Sequence, residues 1–371
     1  MQTIPFKVFP DTICAQHGIK DVLPCPWPDC PNGIADESFQ IESFLKEESA
    51  QIYHRYRWES PIGGTYYTWK NEDLPHWFSA AKTLWNEARR LGLVREKSVQ
   101  TIYHYTSVDA LVGIVETQSV WLSDYSYLND KREMVHGLEI VSEVVKGVLG
   151  STQSQEVRGL LNAWLDAISN GRPRVCIASF SGDSDSLSQW RAYGPIAIGF
   201  TPQLIAIHSN QARLQAVEYD PKIQRQLVEV FINHLVQAYQ VDLANNELER
   251  IPDVYHRLEQ VLELIAFLKD SSFRVEQEFR LVYVEHPQLF ERGYLEPPPK
   301  RFRVKGNRLL PYVVSSELFP LPDGQRKELG ICEIVLGPEA DDLLTRGIRE
   351  FLDANGMEKV PITRSNVPYR T

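Results

Sequence analysis

From Thr101 onward, short apolar or alternating runs are interrupted by amphipathic stretches, in no regular strand–helix–strand rhythm and with no glycine-rich phosphate loop. A doubly wound parallel sheet needs a crossover helix between its strands and commonly carries such a loop, so the pattern favours an α+β fold. The strand readings are Ile102 to Thr106, Val120 to Leu122, Arg174 to Phe180, Ile196 to Phe200, Phe273 to Glu285, Cys332 to Leu336 and Lys359 to Thr363. Of these, Ile196-Ala197-Ile198-Gly199-Phe200 is apolar throughout, which predicts burial on both faces. Helical spacing of apolar residues predicts helices over Val108 to Thr117, Lys131 to Leu149, Glu156 to Ile168, Lys222 to Tyr239, Asn246 to Lys269 and Ala340 to Asn355.

At about 150 residues per domain, 371 residues predict roughly two domains. Texture sets the boundary near residue 98: the preceding stretch holds Cys14, Cys25 and Cys30 of the five cysteines, and Trp27, Trp58, Trp69, Trp77 and Trp85 of the eight tryptophans. Pro24, Pro26, Pro28 and Pro31 forbid regular helix early in it, whereas Glu37 to Tyr56 and Leu74 to Leu91 read as helices. A mostly helical accessory module over residues 1–98, followed by an α+β domain over 99–371, is therefore the expected organisation. With 39 Lys+Arg against 49 Asp+Glu, the net charge of −10 weakens any indiscriminate binding to nucleic acid or anionic lipid. No apolar stretch approaches the ~20 residues of a membrane span, and Met1 to Pro10 lacks the hydrophobic run of a secretory signal. The expectations are a cytoplasmic protein and no membrane partner.

Three segments can carry chemistry. In Arg274-Val275-Glu276-Gln277-Glu278-Phe279-Arg280-Leu281, strand alternation predicts that Arg274, Glu276, Glu278 and Arg280 share a face. An arginine beside Glu278 would keep it ionised, which suits stabilisation of a cationic transition state; the structural alternative is a solvated, charge-balanced face. His104, in Tyr103-His104-Tyr105-Thr106, would point with Thr106, either into a site or into the core. Ser179 and Ser181 share a face at a strand end, either in a site or as turn caps. Among the other candidates, Arg191 offers a guanidinium fork suited to a diphosphate. Trp190 and Tyr193 offer rings for stacking or packing. Lys300-Arg301-Phe302-Arg303-Val304-Lys305 with Arg308 is the one concentrated basic stretch, able to contact phosphates or to guard an edge strand.

In this order the segments resemble the motif set of the ADP-ribosyltransferase fold: a His on an early strand, Ser-x-Ser on a middle one, Glu-x-Glu on a late one. A longer resemblance, over about Ile102 to Arg370, is to a mostly bacterial family known as domain of unknown function 2971. It is carried by Tyr103-His104-Tyr105-Thr106, Leu128-Asn129-Asp130 with Glu133, Ser179-Phe180-Ser181, Trp190 and Tyr193, Gly199-Phe200, Glu276-Gln277-Glu278-Phe279-Arg280, Leu336-Gly337-Pro338 and the terminal Ser365 to Arg370. The transferase resemblance implies a mixed-sheet core with inserted helices and NAD as substrate, consumed by ADP-ribosyl transfer or NAD cleavage. His104 and Thr106 would orient NAD, with Ser179, Ser181, Tyr193, Arg191 and Arg280 lining its pocket. Glu278 would stabilise an oxocarbenium-like transition state, and Glu276 would position or deprotonate a protein or nucleic-acid acceptor that the sequence does not name. Two alternatives stay open: a non-catalytic module that binds a nucleotide or ADP-ribose, and a toxin or defence effector acting on nucleic acid.

Cys14, His17, Cys25 and Cys30 offer four zinc-compatible ligands to a proline-rich stretch with little core of its own. The alternative is a set of reduced cytosolic thiols. If the four residues hold zinc, elemental analysis of the purified protein finds about one equivalent, in keeping with one tetrahedral site, and Cys25→Ser abolishes it. A folded, metal-free wild type would show that these are plain thiols.

Overall fold

The computed structural model describes residues 39–46, 51–59, 65–69, 85, 88–94, 99–127, 132–169, 174–202, 212–244, 255–285, 297–305, 307–318 and 329–368, the first three ranges as backbone. The chain divides into two compact units, Met1–Ala80 with Phe319–Arg326 and Ala81–Leu318 with Lys327–Thr371. In the first unit, β1 (Phe39–Lys46), β2 (Gln51–Glu59) and β3 (Thr65–Trp69) form a three-stranded antiparallel meander. This corrects the expected helix over Glu37 to Tyr56, and with it the expectation of a mostly helical module among the described residues. Ile52, Tyr56 and Trp58 alternate with Tyr53, Arg55 and Arg57, and such aromatic and β-branched residues at period two fit a pleated strand. Trp85 and Ala88 are helical and buried in the core of the second unit, so the residues around them pack with the larger body.

The second unit runs β4 (Ile102–Thr106), α1 (Val108–Thr117), β5 (Trp121–Asp124), α2 (Arg132–Ser151), α3 (Gln155–Ser169), β6 (Val175–Ser181), α4 (Leu187–Tyr193), β7 (Ile196–Phe200) and β8 (Ala212–Ala216). It continues with α5 (Pro221–Ala244), α6 (Tyr255–Ile265), β9 (Glu278–Val284), β10 (Arg301–Lys305), β11 (Arg308–Val314), β12 (Ile331–Leu336), α7 (Asp342–Ala354) and β13 (Ile362–Arg364). The strands make one ten-stranded mixed sheet in the order β10-β11-β5-β6-β4-β7-β12-β13, while β9 pairs with β6 and β8. Every pairing is antiparallel except β12 with β13.

Helices cover both faces. On one, α2, α3, α5 and α6 pack through Val145, Leu161, Trp164, Phe231 and Ile265 onto Val175 and Ile177 of β6 and Val282 and Val284 of β9. On the other, α1 and α7 pack through Leu111, Val115, Ile348 and Leu352 onto Cys176, Phe180, Ile198 and Ile334. Each fully buried side chain of this size contributes about 1.5–3 kcal/mol, so the two layers hold the sheet from both sides. The five residues of β7 are all buried, as their unbroken apolar run predicts. At the end of β4, Gly194 has φ +130°, and a Cβ there would lie 2.7 Å from the Thr106 carbonyl oxygen, so only glycine lets α4 close against this strand.

Candidate functional site

The site is built on β6, which has neighbours of different length on its two edges. On one edge β9 pairs along the whole strand, with Ser179 opposite Arg280 and Ser181 opposite Glu278. On the other edge β5 holds Cys176 and Ile177, whereas β4 meets β6 only at Ser181, opposite Tyr103. Between those two contacts the edge of β6 is open at Ser179. The Ser179 carbonyl there is taken by His104 Nδ1 at 2.9 Å. A carbonyl only accepts, so Nδ1 carries the proton and Nε2 of the neutral ring is left as an acceptor. Burial holds the imidazole below its ordinary value; the bond to Ser179 opposes this, and the nearby Arg303 charge adds to it.

Strand pairing also sorts the side chains. Ser179, Ser181, Glu278 and Arg280 share the face of Ile177 and Val282, whereas His104 pairs with Ile198 and belongs with Phe180 on the other face. The His104 side chain meets the serine strand at its edge, through backbone. The shared face expected for Arg274 and Glu276 needs correcting, because Ser271–Glu276 forms a 3₁₀ turn and Gln277 has φ 45°. The strand starts only at Glu278. Asp270 caps the turn through Ser272 N–H, and Ser181 Oγ donates to the Glu276 carbonyl at 2.7 Å, so Ser181 anchors the turn.

Glu278 is 4% exposed and Arg280 0%. Arg280 Nε donates to Glu278 Oε1 at 2.8 Å and its Nη2 to Oε2 at 3.0 Å. Lys269, just beyond α6, donates to Glu278 Oε2 at 2.9 Å and to Glu276 Oε2 at 2.6 Å. Arg280 also donates to the Ala266 carbonyl at 2.7 Å, and Glu278 N–H donates to Tyr219 Oη at 3.0 Å. Two cations thus answer two carboxylates, and both Glu278 oxygens are occupied. Burial alone would raise the Glu278 pKa, but Arg280 and Lys269 outweigh it and bring it down to about 2.

Across the open edge, Trp121 is 39% exposed and stacks on Tyr312 at 4.5 Å. Arg303 lies over the Trp121 ring at 5.6 Å and donates through Nη2 to Ser123 Oγ at 2.7 Å. Two nearby bases are neutralised: Arg301 on β10 pairs with Glu317, and Lys300 just before the strand pairs with Glu285 at 3.0 Å. Among the other expected residues, Thr106 is buried at the end of β4, and Arg191 and Tyr193 are exposed on α4. Cys14, His17, Cys25 and Cys30 lie outside the described residues, as do Asn129 and Asp130; among the described residues no His, Cys, Asp and Glu cluster fits a metal. Lys269 and Trp121 were not among the sequence candidates. No family model, curated protein or solved structure matches the chain.

The pairing around Glu278 fixes a pH dependence. The unfolded carboxyl takes up its proton near pH 4.5, the folded one only near pH 2, so stability on the order of 3 kcal/mol is present above that window and lost as pH falls through it. Glu278→Gln leaves two buried cations facing one carboxylate and is expected to cost about 3–5 kcal/mol at neutral pH. Denaturant titrations of both proteins between acid and neutral pH check this: the variant is less stable and its acid limb flatter. Equal stability would show that Glu278 is not part of a structural clamp.

Proposed function

We propose that the larger unit is a binding module for a nucleotide of the NAD and ADP-ribose class, seated where β4 and β5 part from β6. The observation that carries this reading is the contrast between the two edges of β6. On the β9 side, the carboxylate needed for transfer is buried and spent on Lys269 and Arg280. On the open side, Ser179 is exposed, and its hydroxyl and His104 Nε2 have no partner among the described residues. The exposed Ser179 hydroxyl can donate to or accept from a ribose hydroxyl, the polar pairing a nucleoside needs.

The transferase reading keeps one observation in its favour. The strands carrying His104, Ser179 with Ser181, and Glu278 lie side by side as β4, β6 and β9, the order that the resemblance to ADP-ribosyltransferases implies. In that reading the partly exposed Glu276 at the rim would meet the acceptor.

Calorimetric titration of NAD and ADP-ribose into the full chain, with nicotinamide release followed in parallel and cell lysate supplied as acceptor source, separates the readings. The expected result is binding of both ligands with no release above background, and loss of binding in Ser179→Asp, whose carboxylate would repel a diphosphate. Release that disappears in Glu276→Gln would put the transferase in place of the binding module. Absence of both binding and release would remove NAD chemistry altogether.

A further inference from the structure

Among the described residues, Arg303 has no carboxylate as an ion-pair partner. Burial lowers its pKa, and the neighbouring Tyr312 offsets this only in part. Of its five N–H donors, one bonds to Ser123 Oγ, and Nε is buried without a hydrogen-bond partner among the described residues. A guanidinium held this way loses hydration without regaining it in hydrogen bonds, which is costly for the fold. Arg301 on the same strand shows what a structural arginine looks like here: it is matched to Glu317 in the 3₁₀ turn after β11. Strand alternation puts Arg303 on the face of Tyr312, Ser123 and Ile177, which is also the face of Ser179. Its charge is felt at His104, on the rim of the open edge.

We infer that Arg303, steadied by Ser123 Oγ and the Trp121 ring, is the anchor for a phosphate of a small nucleotide bound along the open edge of β6. This deepens the nucleotide reading and rests on it for the identity of the ligand, though not for the anion chemistry. A phosphate fits because it is planar-fork complementary to guanidinium, and because its charge supplies the counter-ion that the protein withholds. Ser179, on the same face of the sheet as Arg303, then offers its exposed hydroxyl to a sugar, so one ligand can meet both groups.

The test uses the full chain, with pyrophosphate as a probe of the anion chemistry alone, ADP-ribose as the small nucleotide, and short single-stranded DNA as the competing source of phosphate. In calorimetry, wild type binds pyrophosphate and ADP-ribose, Arg303→Ala weakens both by about tenfold or more, and Arg303→Lys recovers part of the loss because it restores charge without the fork. Arg308→Ala, which removes an exposed base from the neighbouring strand, leaves both unchanged. A second readout needs no ligand: in Arg303→Met, which keeps the packing and removes the uncompensated cation, the Tm of the ligand-free protein is unchanged or raised. Pyrophosphate binding that depends on Arg303, without binding of ADP-ribose, upholds the phosphate anchor while the nucleotide reading fails; single-stranded DNA bound in place of ADP-ribose overturns the assignment to a small nucleotide. Equal affinities of wild type and Arg303→Ala overturn the anchor itself, as does a large fall in Tm for Arg303→Met, which would make Arg303 a structural cation.

Discussion

Glu278 begins a strand that is buried along its whole length, where an ionised carboxylate is tolerated only if its charge and lone pairs are met. Arg280, two residues on and on the same face, meets one oxygen and part of the other, and Lys269 closes the set. Because Lys269 also holds Glu276, the four charges tie the chain beyond α6, the 3₁₀ turn and the first residue of β9 into one unit. Ser181 and Tyr219 add β6 and the segment after β8. The alignment of β9 on β6 follows from where this clamp starts the strand. That alignment puts Ser179 and Ser181 on the face they occupy and leaves the opposite edge of β6 to be shared, incompletely, by β4 and β5.

The same clamp changes what an alternating pair of glutamates means. A Glu-x-Glu on a strand start resembles a catalytic pair in sequence, yet here Lys269 holds both carboxylates and Arg280 holds Glu278 as well. The missing information was long-range: nothing in the sequence brings Lys269, read as the last residue of a helix, under Glu278. The helix instead ends at Ile265, leaving Lys269 in the following turn. Sequence periodicity was most informative where one period dominated, as in β7, β6 and the amphipathic α7, whose Asp341 cap accepts from Leu344 N–H. It misled between Glu37 and Tyr56, where Phe39, Ile41, Phe44 and Leu45 satisfy helical spacing while Phe39, Ile41, Ser43 and Leu45 equally satisfy the alternation of a strand. At Arg274 to Glu276 it failed for another reason: a residue at positive φ, Gln277, separates turn from strand, and no glycine or asparagine marks it. The isolation of Arg303 was equally hidden, since it depends on which of its basic neighbours find carboxylates.

The open edge at Ser179 is where the sheet stops satisfying itself. A full-length neighbour would pair the Ser179 carbonyl with a backbone N–H; here an imidazole does so. Alongside it stand an exposed hydroxyl, an exposed indole and a guanidinium whose Nε has no partner among the described residues. Each has a structural cost or gives up a structural gain, and together they sit on the side of β6 that the clamp leaves untouched. Local rules broken together, next to a core that obeys them, are what the proposed binding site rests on.

The β9 edge of β6 holds the fold, and in the proposed reading the β4–β5 edge is left for the nucleotide. A crystal structure of the full chain grown with ADP-ribose tests it directly. The expected structure has the diphosphate against Arg303, a ribose hydroxyl at Ser179, and Glu278 still bound to Lys269 and Arg280. A ligand seated on Glu278, with its ion pairs opened to receive the ribose, would contradict it.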